Sequence, residues 1–345
     1  PSSSANTITI GSGANLYLSG DVTIANNLVV AGALSIGAHT LTLDTAAVSV
    51  TGTMNGSSSS NLVWIGSSGE ATTIDFITGS LNALTLCNSV SLSTTSSYGS
   101  LYLTGTGDFT IAKSALSTLS IARADSTISL SSAISLSNLV IGAHDVQIEG
   151  GSITVAKILS IKSGASLECS SMTLKNVAGI TGDGTLAVQD LTLSGSGNFV
   201  FSTGSTVTDS LTVNRGNAQI TLGSSLTLNA LTIYGSPSFV SSAGSAYAVT
   251  TSALDLEGSG SYSLAASSVN IASGGDLTIH RGTATITFNS NTSLDSLDVY
   301  GAATLATGKS SFSGNELTLE KSATLALPSA NISSLNIAYD ATLTL

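Results

Sequence analysis

The stretch Leu211-Thr-Val-Asn-Arg215-Gly216 decides the fold, together with the short units after it: Ile220-Thr-Leu222, Leu226-Thr-Leu228, Leu231-Thr-Ile233 and Tyr234-Gly235. Each short unit is an apolar residue, a small polar one and another apolar one. That alternation is the period of a half-buried strand, not of a helix. Gly, Ser, Asn or Asp punctuates the gaps, so the strands are short and the chain turns often. The stretch returns 66 residues later without a gap: Leu277, Ile279, Arg281, Ile286, Leu294, Leu297, Val299 and Tyr300 fall on Leu211, Val213, Arg215, Ile220, Leu228, Leu231, Ile233 and Tyr234. A third copy comes earlier, carried by Leu119, Ile121, Arg123, Ile128, Leu130, Leu136 and Leu139. Self-similarity of this kind marks a repeat architecture.

Leu211 to Leu231, Leu277 to Leu297 and Leu119 to Leu139 are each 20 residues. About 20 residues therefore make one coil of a solenoid, with about three strands in it. Three coils with small insertions give the 66-residue offset. Near the start, the apolar pairs Ile8/Ile10, Leu16/Leu18, Val22/Ile24 and Leu28/Val30 begin six to eight residues apart. A left-handed hexapeptide solenoid would hold a strict cadence, so the drift favours a right-handed parallel β-helix. The expected fold is all-β: one continuous right-handed parallel β-solenoid over residues 1–345. Residues 51–115 are the least regular part, with Ser-rich loops at Ser57–Ser60 and Ser93–Ser97; Trp64, between them, is read as covering a gap in the core.

Charged residues are 8% of the 345 and aromatics 5%, but the regular supply of Leu, Ile and Val argues against disorder. Nine Lys and Arg against twenty Asp and Glu give a net charge of −11. No basic stripe exists to neutralise phosphates, which excludes nucleic acid and disfavours an anionic membrane surface. No run of 18 apolar residues occurs, so no membrane insertion is expected. Cys87 and Cys169 are roughly four coils apart, at ~4.8 Å per coil, which is beyond disulfide reach. No metal-ligand spacing surrounds either, and no cofactor is expected. Pro1 is not an initiator, so the sequence reads as a processed or excised product.

The run Asn27-Leu-Val-Val-Ala-Gly-Ala-Leu-Ser-Ile-Gly-Ala-His-Thr-Leu-Thr-Leu43 resembles the β-helical stalks of bacterial surface and secreted adhesins. These are the autotransporter-passenger and filamentous-haemagglutinin-like proteins. The resemblance extends in style over the whole chain. It implies an extracellular or cell-surface, elongated, non-catalytic protein. It carries over no functional residues.

With Leu211 and Val213 inward, the alternate residues form outward columns. One runs Thr212, Thr232, Asp255, Thr278, Asp298, Thr318; its neighbour runs Asn214, Tyr234, Glu257, His280, Tyr300, Glu320. Tyr234, Asp255, Glu257, His280 and Tyr300 are therefore a candidate surface strip. Paired carboxylates beside a His suit binding or hydrolysis of a glycan. The competing reading is a solvated face, and without pocket-forming loops no catalytic residue is assigned. Arg123, Arg215 and Arg281 share one repeat position and read as corner residues bonding carbonyls or an acid such as Asp125. Gly216 and Gly282, just after two of them, are expected to turn the corner with positive φ. The Gly-x-Gly runs at Gly105/Gly107, Gly182/Gly184 and Gly195/Gly197 lack a following helix and read as turns. His39 and His144 follow Gly-Ala and also read as turn residues.

The sequence starts its beat at Ile8-Thr-Ile10 and is still on it at Leu343-Thr-Leu345. Open solenoid ends expose backbone groups and apolar side chains. Ile8, Ile10, Leu343 and Leu345 are thus an expected end-to-end interface, with copies joining head to tail. The function expected is a non-enzymatic extracellular filament subunit or adhesin stalk. The alternative is a polysaccharide-binding or polysaccharide-degrading β-helix.

Overall fold

The computed structural model describes all residues except 1, 2, 45, 46, 67–71, 75, 76, 88, 89, 93–96, 125, 143, 265–267, 289–291, 307–311, 321, 328, 329 and 345. The protein is a parallel β-solenoid with a coil of about 20 residues. Every strand pairing is parallel and no helix occurs among the described residues. Chain contacts divide it into two compact units, Pro1–Cys169 and Ser170–Leu345.

In the first unit the alternation places two inward columns side by side. Leu101, Leu119, Leu139 and Leu159 stack in register, and so do Leu103, Ile121, Ile141 and Ile161. All eight are buried. The second column continues back through Leu86 and Trp64 to Leu43. Trp64 is 1% exposed, so it takes a place in the Leu/Ile column. The expected Ser-rich loop at Ser57–Ser60 is a tight polar turn: the Ser60 hydroxyl is buried, accepts from Ser57 N at 2.8 Å and donates to Gly37 O. Most of the loop at Ser93–Ser97 lies outside the described residues.

In the second unit one column runs Leu191, Leu211, Leu231, Leu254, Leu277, Leu297, Leu317. Every one is buried. The two coils from Leu231 to Leu277 are longer than the rest, which accounts for the 66-residue offset. One extension is a loop closed by Ser241 Oγ donating to Tyr247 O at 2.8 Å. The other is a bulge, because Thr251 pairs with Ile271 while Ala253 pairs with Asp276. Of the two corner glycines, Gly216 has φ +56°. Gly282 is not in the left-handed region; here the close approach falls on Gly301, whose added Cβ would meet Arg281 O.

The columns are what holds each unit, since burial of these side chains is the main favourable term. Leu231→Ala should cost ~2–5 kcal/mol in urea unfolding, because the stacked neighbours on two sides cannot collapse into the cavity. The first unit also carries two weak acids that burial holds neutral. The Cys169 thiol is pushed from 9.0 to about 12 by burial and, second, by the Glu168 charge. The Tyr98 hydroxyl is pushed from 10.0 to about 12 by burial. In the unfolded chain both ionise at lower pH than in the fold, so stability must fall as pH climbs from about 9 towards about 12. Thermal melts between pH 8 and 11 should show that decline, and it should be shallower in Cys169→Ala/Tyr98→Phe.

Candidate functional site

The alternation that sends Leu211 and Val213 inward sends Arg215 inward as well. Arg123, Arg215 and Arg281 are all buried, three cations inside an apolar stack. Their guanidinium groups bond backbone carbonyls of earlier coils. Arg215 Nη1 donates to Val177 O at 2.8 Å and Gly197 O at 3.3 Å, and Nη2 donates to Leu174 O at 3.0 Å. Arg281 Nη1 donates to Gly260 O at 2.6 Å, and Nη2 to Gly235 O at 2.6 Å and Ile233 O at 3.3 Å. Arg123 Nη1 donates to Gly107 O at 2.9 Å, and Nη2 to Leu86 O at 3.4 Å. Each guanidinium also lies over an aromatic ring of the coil before: Phe109 at 5.5 Å, Phe199 at 5.4 Å and Tyr262 at 5.9 Å from the centroid. Burial pulls all three arginines below their ordinary pKa, opposed at Arg123 by Cys87 and at Arg281 by Tyr262 and Glu257. A guanidinium stays charged under such a shift, and its two terminal amino groups reach several carbonyls of the corner at once.

The corner below each arginine is built the same way three times. Gly105-Thr-Gly107-Asp108-Phe109, Gly195-Ser-Gly197-Asn198-Phe199 and Gly258-Ser-Gly260-Ser261-Tyr262 each hold both glycines at positive φ. Gly105 stands in register with Arg123, and Gly258 with Arg281. The polar residue after the second glycine caps the next coil. Asp108 Oδ1 accepts Thr127 N at 2.8 Å, Asn198 Oδ1 accepts Gln219 N at 2.8 Å, and Ser261 Oγ accepts Thr285 N at 3.0 Å. The expectation of a corner arginine on carbonyls is met; Asp125, the acid considered for it, lies outside the described residues. The latch as a unit was missed, although its signal is present. A Gly-x-Gly-polar-aromatic run is followed one coil later by an arginine at the inward phase.

The outward columns stand as the alternation requires. Thr212, Thr232, Asp255, Thr278, Asp298 and Thr318 are successive register partners. Beside them Asn214 pairs with Tyr234, Tyr234 with Glu257, and Glu257 with His280. His280 Nδ1 and Glu257 Oε1 are 2.7 Å apart. The imidazole ring also meets Tyr300, with ring centroids 4.1 Å apart and tilted by 43°. Desolvation, then the charges of Asp298 and Glu320, push the Tyr300 hydroxyl up. Tyr234 and Tyr300 are 38% and 45% exposed. The strip is an exposed face of the parallel sheet. Around the corner from it, an open groove of about 350 Å³ is lined by hydroxyls that include Ser238, Thr285 and Thr287. Among the described residues no cluster of three or more His, Cys, Asp or Glu could hold a metal.

Of the four end residues, Ile10 is buried, Ile8 and Leu343 are half-buried, and Leu345 lies outside the described residues. An exposed apolar pair stands elsewhere, at Leu335 and Ile337. Cys87 and Cys169 are both free. His39 and His144 both sit in bends. No protein-family model, curated protein or solved structure matches this chain.

Removing one guanidinium leaves several buried carbonyls without donors, each costing ~1–3 kcal/mol. Arg215→Met, which keeps much of the apolar stem, should therefore lower the urea midpoint clearly. Arg215→Lys should restore only part of the loss, because one ammonium cannot span carbonyls on two earlier coils.

Proposed function

We propose that this chain is a structural, non-enzymatic protein that works outside the cell as a filament subunit or adhesin stalk. The observation that carries this reading is the thrice-repeated latch. The buried cations are used to brace backbone against backbone, and each tie reaches two coils back. That is a design for stiffness along the coil axis. The polar outer columns, poor in Lys and Arg, and the ladders beneath them suit a protease-resistant exported protein.

Assembly is supported by one further feature. Leu335 and Ile337 pair with Leu317 and Leu319, which are fully buried, yet are themselves 50% and 44% exposed. They have the inward phase of a core column. We propose as their occupant a coil of the same period from a second copy. In the first unit an open groove of about 330 Å³ is lined by Ala5, Ile8, Leu16 and Val22 among others, apolar residues of the right kind to receive them. Contact between two different surfaces of identical chains is heterologous and propagates into a filament.

Negative-stain microscopy and sedimentation across a concentration series test this. Filaments that lengthen with concentration, and that vanish in Leu335→Lys/Ile337→Lys, are expected. Single particles at every concentration would rule out the filament and leave the stalk.

A further inference from the structure

The three latch copies provide an internal comparison. Their inward residues are alike: Leu119, Ile121 and Arg123 match Leu211, Val213 and Arg215, and Leu277, Ile279 and Arg281. The residue just before the arginine differs each time, being Ala122, Asn214 and His280. In the first unit the outward column through Ala122 contains Thr104 and then Gly142, whose backbone N bonds Ile121 O. The column is small and featureless there. In the second unit the same position carries Tyr234, Glu257, His280 and Tyr300 on successive coils. The latch does not require this line, because two other copies form without it.

The line has an internal order. His280 is held between the Glu257 carboxylate and the Tyr300 ring, which fixes its plane. Tyr234 and Tyr300 are three coil steps apart, ~14 Å at the usual strand spacing. Asp255 and Asp298 flank Thr278 in the neighbouring column, ~7 Å to the side. The result is two exposed aromatic plates joined by carboxylates and an imidazole on one face of a hydrogen-bonded parallel sheet. No Lys or Arg stands in either column from Asn214 to Glu320.

We infer that this face of the second unit binds an uncharged glycan chain laid along the solenoid axis. Tyr234 and Tyr300 offer apolar faces to the C–H sides of sugar rings, and Asp255, Glu257 and Asp298 accept hydrogen bonds from sugar hydroxyls. Aromatic side chains with an apolar body and a polar tip suit such a half-wet contact. The acidic columns repel uronates, sulfated sugars and phosphates, so the recognised class is neutral. The rigid sheet spares the ligand site the ordering cost of a mobile loop. This inference does not rest on filament assembly.

The test is affinity electrophoresis of the full chain through gels containing hydroxyethyl cellulose, mannan or laminarin, with polygalacturonate and poly-lysine as charged probes. Retardation by at least one neutral polysaccharide is expected, and none by polygalacturonate. Tyr234→Ala/Tyr300→Ala should weaken it by about tenfold or more, the usual loss for central aromatic contacts. Glu257→Gln should weaken it less, and circular dichroism melts should show all variants folded. Unchanged migration in every neutral polysaccharide overturns the inference. So does equal retardation of the double tyrosine variant, or a response to poly-lysine alone. None of these outcomes touches the assembly test, which reads Leu335 and Ile337.

Discussion

A parallel ladder satisfies the backbone along its strands and fails at its corners. Where the chain turns from one face to the next, carbonyls leave the ladder and several point into the core. Buried backbone groups need partners, and water is excluded there. In this solenoid the problem is met at three corners by one inward arginine apiece. The guanidinium supplies donors to carbonyls of the two coils before its own, and rests on an aromatic ring of the nearer one. The rest of the corner is built around that need. Glycines at positive φ bring the carbonyls within reach, and Asp108, Asn198 or Ser261 caps the coil that comes after.

This arrangement changes how the coils depend on one another. In a simple solenoid each coil contacts its neighbours only, and stability is close to a sum of neighbour terms. An arginine whose Nη2 reaches Leu174 O from position 215 adds a tie that skips a coil. Ile233 and Arg281, and Leu86 and Arg123, repeat it. Fraying one coil then breaks charge-assisted bonds in two others, so local opening should be more costly near a latch than between latches. The apolar columns alone cannot do this, because dispersion contacts reach only adjacent side chains.

Most of the scaffold was legible in the sequence because its period is short and strict. Leu-Thr-Val at 211–213 alternates as a strand, and the 20-residue recurrence set the coil, so both outward columns through Asp255 and Glu257 were readable in register. What was not legible depends on packing in three dimensions. Trp64 reads as covering a gap in the core between Ser-rich loops, whereas it is an ordinary member of a column with Leu43 and Leu86 as register partners. Gly282 resembles Gly216 in sequence but not in conformation, although the two corners are of equal length. The arginines read as corner residues bonding carbonyls, as they are, but that reading did not give their burial. Taking the alternation literally from Leu211 through Val213 would have placed Arg215 inside.

The same alternation separates two tasks within single strands. His280 and Arg281 are neighbours in sequence and face opposite sides of one sheet. The inner residue is constrained by carbonyls on two other coils. The outer one is constrained only by what stands above and below it in its column. A substitution outward therefore leaves the latch intact, and the outer face can change from Ala122 to His280 while the corner stays the same. A solenoid of this kind has a core with little freedom and a surface with a great deal. Chemistry that distinguishes one stretch of it from another should be sought in the outward columns, and the line from Tyr234 to Tyr300 is one place where the outer face differs between copies of the repeat.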